Sequence, residues 1–437
     1  MGTDADADAG PHVRGDASRT DAPSRTGAPG RTGVSARGGA LARIGQPLRT
    51  PAFRWWFGAQ VLSASGAMTQ TVALSWLVLQ RTHSAWWLGV VTIVTWVPLL
   101  LLGPWTGALA DRADRRRILI ATQAASVLLG LTLALLAPLR PPLPVLLLPT
   151  FLGGVVTAFD APARQVYVVD LVGAGRIAGA VSLYEVTMNA SRVLGPALGG
   201  VLLGTVGAWA CFLANALAYV PPLAVLLAVR PAAVTPAPAA RAPRVRGAVR
   251  DGLRYVRADP PIRACLPIAA ASGTLFNLGV ALPVFASRAL HLGGGGYGAL
   301  MAAFGLGALP GAVLAAGGGD PTGRQVRRLA LATALLTLLL AGSPNPPVAF
   351  AAVAAAGFAG IRFVTAANTL VQLRSTDAVR GRVMAAWSMA LPGTLPVTGL
   401  LVSAAVQLGG PRAGLLLSAA ALAATTLLGW RALRDGT

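Results

Sequence analysis

Residues 88–117 read LGVVTIVTWVPLLLLGPWTGALADRADRRR, and this stretch decides the class of the protein. No charged side chain occurs from Leu88 to Ala110, whereas residues 111–117 contain four arginines. An apolar run of about 18 residues or more is long enough to cross the hydrocarbon core of a bilayer. Arginines that follow such a run hold its end at the cytoplasmic face. The stretch therefore predicts a membrane-spanning helix followed by a basic cytoplasmic loop.

The composition extends this interpretation to the whole chain of 437 residues, of which 54% are hydrophobic and 12% are charged. A soluble domain has about 25% charged residues, so a soluble fold is excluded. All 36 basic residues are arginines, and with 15 acidic residues they produce a net charge of +21. Because the arginines cluster between apolar runs, membrane topology and lipid head groups explain them, and we expect no nucleic-acid partner.

The apolar segments predict an all-α membrane protein with twelve transmembrane helices. Residues 1–50 have almost no large apolar side chains and predict a disordered cytoplasmic tail. An Arg- and Pro-rich stretch at 230–263 predicts a cytoplasmic linker between an N-terminal six-helix bundle at 51–229 and a C-terminal six-helix bundle at 264–437. The approximate bounds of the twelve apolar segments are 55–79, 86–110, 118–139, 143–166, 177–206, 209–229, 264–286, 298–316, 326–341, 347–373, 383–408 and 413–430.

The distribution of arginines predicts the orientation of the helices. With both termini placed in the cytoplasm, thirty arginines fall on the cytoplasmic side, and four fall on the other side. Cytoplasmic loops carry the excess of basic residues in membrane proteins. We therefore expect a multi-pass protein of the cytoplasmic membrane with both ends inside. The four arginines on the other side are Arg81, Arg140, Arg288 and Arg412.

Several short motifs carry a resemblance to a known family. The loop GALADRADRRR at 107–117 resembles the signature loop of the major facilitator superfamily, with Asp114 in place of a usual glycine. The likeness continues in DAPARQ at 160–165, NASRVLGPALGG at 189–200, GLRYVR at 252–257 and RGRVM at 380–384. Together these segments are similar to the branch that contains enterobactin exporters and macrolide or drug efflux proteins. The resemblance implies the major facilitator fold, with two pseudo-symmetric bundles, and multidrug efflux of small amphipathic molecules.

The resemblance also implies a gating loop on the cytoplasmic side, formed by Gly107, Asp111, Arg112, Arg115 and Arg116. In the family this loop latches the two halves together. A glycine allows a neighbouring helix to approach closely, and the Asp111 carboxylate can stabilise the N-terminus of another helix. The alternative is that the arginines only set the topology.

A second motif lies in the fifth predicted helix and comprises Arg192, Gly195, Pro196, Gly199 and Gly200. It resembles the motif typical of proton-coupled exporters. A proline removes a backbone hydrogen bond and bends the helix, while glycines permit tight packing against a neighbour. Ordinary packing of small residues is the alternative explanation.

Ionisable side chains within the apolar segments are candidate proton or substrate sites, because each costs about 2.5–3.5 kcal/mol on insertion scales. Glu185, the only glutamate, and Arg362 have similar predicted depths and could face one cavity. A structural contact between Glu185 and Arg192 is the alternative. Asp160 is either a gating carboxylate or the solvated end of a helix. The acid that relatives commonly carry in the first helix is replaced by residues 67–70, AMTQ, so proton antiport would use Glu185 or Asp160.

Rival functions are uptake or uniport of a small polar solute, and a membrane enzyme or receptor. The chain has no phosphate-binding loop of the G-x-x-x-x-G-K-[ST] type, so it is not by itself an ATP-driven pump of that type. It also lacks a nucleophile elbow and histidines with the spacing of metal ligands. We expect a monomer that uses no cofactor and no metal, with a small-molecule substrate, protons and membrane lipids as its partners. The polar helix residues Gln60, Gln70, Asn277 and Asn368 are candidate substrate contacts.

Overall fold

The computed structural model of the protein describes residues 46–110, 113–173, 176–228, 254–316 and 319–433. These residues form helices, turns and short connections. The predicted tail, except for residues 46–50, and the predicted linker up to residue 253 lie outside the described residues. So do Asp111 and Arg112 of the predicted gating loop.

The described residues form the twelve predicted helices in the predicted order. Three of them are interrupted: α6 and α7 are divided by one residue each, and α11 is divided by a short 3-10 segment, Pro392–Thr394. The helices are α1 Pro51–Thr82, α2 Ala85–Ala110, α3 Arg115–Leu139, α4 Leu143–Val172, α5 Ile177–Thr205, α6a Ala208–Ala218, α6b Val220–Ala228, α7a Pro260–Phe276, α7b Leu278–Val284, α8 Gly294–Ala316, α9 Gly323–Ala341, α10 Pro346–Arg374, α11a Asp377–Ala390, α11b Leu395–Gly409 and α12 Ala413–Leu428.

Most of these helices are individually suited to a membrane. Eight described spans are long and apolar enough to cross a bilayer, and the bent pair that α7a forms with the helical segment ending at Ala289 makes a ninth. The remaining helices of the twelve are α5, α9 and α12, of which α12 is apolar but shorter. Since the backbone of a helix satisfies its own hydrogen bonds, a set of packed helices is one of the few structures that a bilayer permits.

The same packing pattern occurs in both halves of the chain. In the first half, α1 packs against α5 and α6, α2 against α4, and α3 against α4 and α6. In the second half, α7 packs against α11 and α12, α8 against α10, and α9 against α10 and α12. Each pair therefore recurs six helices later, as expected for a duplicated six-helix unit.

Contacts between the halves involve two principal pairs of helices, α5 with α8 and α2 with α11. We call the end where α1 begins the basic end, since the described arginines Arg115, Arg116 and Arg117 lie there. The other end, which carries the turn between α1 and α2, is called the opposite end.

The apolar core is continuous between the halves only toward the opposite end of the described residues. There a single cluster includes Val78 of α1, Phe212 of α6a, Phe285 after α7b, Tyr297 of α8 and Val402 of α11b. Toward the basic end, the buried apolar residues form separate clusters within each half. The shared core therefore closes the opposite end of the structure, and the halves separate toward the basic end.

The start of α7 differs from the predicted boundary at residue 264. The helix begins at Pro260, within the predicted linker, because Asp259 provides an N-cap: its Oδ1 accepts a hydrogen bond from the Ile262 N–H at 3.0 Å. Proline at the first helical position and aspartate before it are both favoured at helix starts. The Asp259 carboxylate also lies 3.7 Å from an Arg374 nitrogen at the end of α10.

We predict that the cap of α7, rather than the ion pair with Arg374, is the main contribution of Asp259 to stability. Asp259→Ala should lower the free energy of unfolding by about 1 kcal/mol. Asp259→Asn keeps the acceptor oxygen and should cost only a few tenths of a kcal/mol, because partly exposed ion pairs contribute little. The shift of the thermal unfolding midpoint of both purified variants measures this difference. Equal destabilisation by the two substitutions would contradict the prediction.

Candidate transport pathway

Polar contacts close the opposite end of the molecule. The Ala85 N–H donates to Gln407 Oε1 at 3.0 Å, and Ser403 Oγ donates to the Ala85 carbonyl at 2.8 Å. The Arg288 guanidinium donates to the carbonyl of His83. Ala85 and His83 belong to the region between α1 and α2, whereas the three partners lie in the second half. The turn between α1 and α2 therefore joins the two halves at this end.

An aromatic pair adds a second layer to this closure. The rings of Trp76 in α1 and Tyr297 in α8 stack with centroids 5.9 Å apart. Gly294, at the start of α8, lies directly beside the Trp76 indole, where a β-carbon would be 2.9 Å from its Nε1. The absence of a side chain at Gly294 thus lets the tryptophan pack across the boundary between the halves.

Below this closure lies a cavity of about 360 Å³, which is bordered by helices of both halves. A second cavity, of about 470 Å³, lies between α4 and α5 near the turn that joins them at the basic end. Thr157 of α4 lines both cavities. The two cavities are therefore adjacent at Thr157, one central and one near the basic end.

The polar residues predicted as substrate contacts occupy different environments. Gln70 and Asn277 line the central cavity. The Gln70 Oε1 accepts from Asn215 Nδ2 at 2.6 Å, and the Asn277 amide group donates to the Gly273 carbonyl at 2.8 Å. Gln60 is buried, while Asn368 is half-buried and bonds to the next turn of its own helix. Gln70 and Asn277 are therefore the two whose positions fit a role in binding.

Asp160 is buried within the first half, with 3% of its surface exposed. Its Oδ1 accepts from Thr122 Oγ1 at 2.9 Å and from Gln123 Nε2 at 2.8 Å, both on α3, and its Oδ2 is paired with Arg164 one turn along α4. This burial excludes the alternative of a solvated helix end. Among the described residues, Gln123 Oε1 and Arg164 Nε are buried without a hydrogen-bond partner.

Glu185 lies on α5 and is exposed, on the wall of the cavity that Arg164 also lines. Its backbone carbonyl accepts from Asn189 Nδ2 at 2.9 Å, and Asn189 Oδ1 accepts from Arg192 at 2.9 Å. Within the described residues, no ion pair of 4.0 Å or less joins the Glu185 carboxylate to Arg192. The side chain of Glu185 is therefore accessible from the cavity, and among the described residues its charge acts on Arg192 without a close ion pair.

Arg362 is half-buried on α10, with its guanidinium carbon 5.9 Å from the centre of the Phe358 ring. Its Nε is buried and has no hydrogen-bond partner among the described residues. In the same part of the chain, no hydrogen bond or ion pair joins Arg362 to Glu185. That these two side chains face one cavity stays a prediction.

Asp114, the departure from the signature loop, has a structural role. Its Oδ1 accepts from the backbone N–H groups of Arg116 and Arg117 at 3.0 and 3.3 Å, so it caps the N-terminus of α3. Glycine, the usual residue, has no side chain that could do this. An aspartate directly before a run of helical residues is a recognised capping signal, and the sequence analysis missed it.

The arginines of this loop bind other helices of the first half. Arg115 forms an ion pair with Asp170 near the end of α4 at 3.0 Å. Arg116 donates through Nε to the Leu226 carbonyl at 2.8 Å and through a terminal nitrogen to the Leu227 carbonyl at 3.1 Å. The start of α3 is thus held against the ends of α4 and α6b, and the carbonyls at a helix C-terminus are natural partners for a cation.

The motif in α5 packs against α1 on one side. Thr69 Oγ1 donates to the Gly195 carbonyl at 2.8 Å, and a β-carbon at Gly195 would lie 2.5 Å from the Ser65 carbonyl. Pro196 follows directly within α5. At Gly199 a β-carbon would be 3.4 Å from Val72, an ordinary contact distance.

On its other side, α5 packs against α8 of the second half. A β-carbon at Gly200 would lie 3.0 Å from the Gly295 carbonyl, and one at Gly298 would overlap the Gly200 backbone. The contact is therefore backbone against backbone, as small residues allow between membrane helices. The predicted tight packing is present at Gly195 and Gly200 and is weaker at Gly199.

Two comparisons with known sequences agree with this architecture. A family model described as "Transmembrane secretion effector" matches residues 43–435. The staphyloferrin A transporter of Staphylococcus aureus (strain NCTC 8325 / PS 47) is 35% identical over 176 residues, which are 40% of this chain and 44% of that transporter. The multidrug efflux pump Tap of Mycobacterium tuberculosis (strain ATCC 25618 / H37Rv) is 30% identical over 412 residues, which cover 87% of this chain and 90% of the pump.

A solved structure has the same fold. A bacterial homologue of the human lysosomal transporter Spinster, in an inward-facing and occupied conformation, superimposes with a TM-score of 0.67 at 17% identity, covering 90% of this chain and 99% of that chain. The twelve packed helices, the continuous core at one end and the family match lead to one conclusion. The chain is a multi-pass membrane transporter of the major facilitator superfamily and belongs to its transmembrane secretion effector family.

Proposed function

We propose that this protein exports small amphipathic molecules, of the drug, antibiotic or siderophore type, in exchange for protons by alternating access. The observation that carries the proposal is the pair of adjoining cavities, which approach the basic end while both halves close the opposite end. The names of two relatives, a multidrug efflux pump and a staphyloferrin A transporter, support a substrate of this class.

The direction of transport depends on which end faces the cytoplasm. Thirty arginines against four favour the basic end as the cytoplasmic one. In that orientation the structure is open to the cytoplasm, which is the state in which an exporter loads its substrate. The motif in α5, which resembles that of proton-coupled exporters, supports the same direction.

The gating loop fits this cycle as a rigid part of the first half. Arg115 and Arg116 fasten the start of α3 to α4 and α6b, so the loop moves with that half. We propose that the loop latches the halves together when they meet at the basic end. This latch role for the loop is part of the proposal.

The carboxylate that we assign to proton exchange is Asp160, which is buried and paired with Arg164. Its three donors stabilise the ionised form. A protonated carboxyl instead needs an acceptor for its own O–H, and the unpartnered Gln123 Oε1 can supply one if the amide rotates by half a turn. The two amide orientations would satisfy the two states of Asp160. The rotation would place Nε2 where Oε1 now lies, so one buried amide atom of Gln123 lacks a hydrogen-bond partner in either state.

Arg164 connects Asp160 to the cavity. Once Asp160 is neutral, the guanidinium loses its ionic partner, and Glu185 is the carboxylate that lines the same cavity. Among the described residues, the charge of Arg164 also acts on Tyr219, between α6a and α6b. A transfer of Arg164 from Asp160 toward Glu185 would change the charge and shape of the cavity wall with each proton bound.

The first test is transport itself. In everted membrane vesicles, energisation should drive accumulation of a fluorescent amphipathic cation, and a protonophore should abolish it, because the protein exchanges substrate for protons. Vesicles without the protein are the control. Accumulation only in right-side-out vesicles would indicate uptake, and no flux of any tested solute in either orientation would contradict a transport function.

The second test concerns proton coupling. In proteoliposomes, Asp160→Asn and Glu185→Gln should each reduce transport driven by a pH gradient at least tenfold while retaining substrate exchange without a gradient, because neither side chain can then release a proton. Asp320→Asn, at an exposed carboxylate in the α8–α9 connection, is the matched control. If accumulation driven by a pH gradient persists in Glu185→Gln, Glu185 has no role in proton coupling. If it persists in Asp160→Asn, Asp160 has none.

The third test concerns alternating access at the α5–α8 contact. Gly200→Ala places a methyl group between the halves and should destabilise the closed opposite end by about 1–3 kcal/mol, as overpacking does. A cysteine at Ser75, a buried position on the central cavity, reports this opening. An impermeant maleimide labels Ser75→Cys in intact cells when the opposite end opens. The two native cysteines, Cys211 and Cys265, are replaced by alanine in this background. Labelling should rise severalfold in Gly200→Ala and stay constant in Gly199→Ala. Equal labelling in both variants would argue against the contact as a gate.

A further inference from the structure

A cavity of about 870 Å³ that the proposed pathway does not use lies at the opposite end. It is bordered by the end of α1, the connection between α3 and α4, and the start of α6a. Arg81, Arg140, His83 and Trp209 are among its lining residues. The cavity is formed by the first half alone, so it is separate from the central cavity between the halves.

The positive charges at this end of the molecule are not balanced by acidic residues in the connections between helices. The connections between helices at the opposite end are residues 83–84, 140–142, 206–207, 290–293, 342–345 and 410–412, and they contain no Asp or Glu. Two of the four arginines of this end line the same cavity. The like charges of Arg81 and Arg140 repel each other across this partly open cavity. An anion bound between them would remove this repulsion.

The two arginines have different protein contacts. Arg81 donates to the Ala137 carbonyl at 2.6 Å and to the Pro141 carbonyl at 3.2 Å, which holds its guanidinium at the α3–α4 connection. For Arg140 the described residues provide no hydrogen bond and no ion pair. The cavity thus combines one fixed arginine with one whose five N–H donors are available.

We propose that this cavity binds a phosphate ester, and that its source is the head group of an anionic lipid in the leaflet at the opposite end. Arginine guanidinium groups match phosphate oxygens through paired hydrogen bonds. Trp209 lies at the start of α6a with 42% of its surface exposed, and tryptophans at helix ends sit at the level of lipid head groups. The aromatic ring next to two arginines fits a phosphate that carries acyl chains.

Binding here would affect the closed opposite end through His83. This residue lines the cavity, and its carbonyl accepts from Arg288 of the second half. It is also the left-handed C-cap of α1, with a φ of 50°. A head group that fixes the turn between α1 and α2 would therefore stabilise the contact that joins the halves. This site lies outside the proposed substrate pathway, and lipid binding there does not depend on the direction of transport.

The test compares lipid binding by the purified full-length protein and by matched variants in neutral detergent. Phosphatidylglycerol should raise the thermal unfolding midpoint and remain bound in native mass spectrometry, whereas phosphatidylcholine should have a smaller effect. Arg140→Gln, which breaks no described protein contact, should weaken phosphatidylglycerol binding about fivefold, the contribution of one arginine near an anionic surface. Arg412→Gln is the control, because Arg412 is at the same end but is not a lining residue of the cavity.

The outcomes separate the two sources of phosphate. Stabilisation by phosphatidylglycerol that requires Arg140, with no effect of glycerol phosphate at the same concentration, supports the lipid site. Equal stabilisation by glycerol phosphate, lost in Arg140→Gln, would replace the lipid with a soluble phosphate ester. Unchanged binding in Arg140→Gln, or an equal loss in Arg412→Gln, would overturn the site.

Discussion

The close approach of α5 to α8 is the contact on which the arrangement of the two halves depends. Gly200 and Gly298 bring the helix backbones together, and no larger side chain fits there without displacement. On its other face, α5 packs against α1 through Gly195 and the hydrogen bond from Thr69. Helix α5 therefore packs against its own half on one face and against the second half on the other. A bilayer provides no hydrophobic force between helices, so contacts of this kind rest on small residues and close packing.

Polar closure at the opposite end and charge at the basic end divide the molecule into two functional regions. The α1–α2 turn is joined to α7 and α11 by bonds to backbone carbonyls and to Gln407, none of which requires a buried ion. Arg164 and Glu185 line instead the cavity near the basic end, and Asp160 is buried beside Arg164. Burial of a carboxylate is tolerated at Asp160 because Thr122 and Gln123 supply donors, together with the adjacent arginine. The polar groups that could respond to protons are thus placed where the halves are apart.

How far the sequence predicts the site varies from residue to residue. Gly195 and Gly200 pack tightly as predicted, because the spacing of small residues on one helix indicates a close neighbour. Glu185 was predicted to face a cavity together with Arg362; the structure places Glu185 on a cavity wall, and the pairing with Arg362 stays a prediction. For Asp160, burial against α3 speaks against a solvated helix end, and the gating role stays a prediction.

The sequence by itself determined that this chain spans a membrane, the number and order of its helices, and its family. Those properties follow from apolar length, loop charge and short motifs, all of which are local along the chain. Only the tertiary structure decided which polar groups meet: Gln123 reaches Asp160 across 37 positions of sequence, and Arg81 and Arg140 come to line one cavity. Such contacts depend on the rotation and tilt of each helix against its neighbours. Those are set by packing over the whole bundle, and no local pattern encodes them.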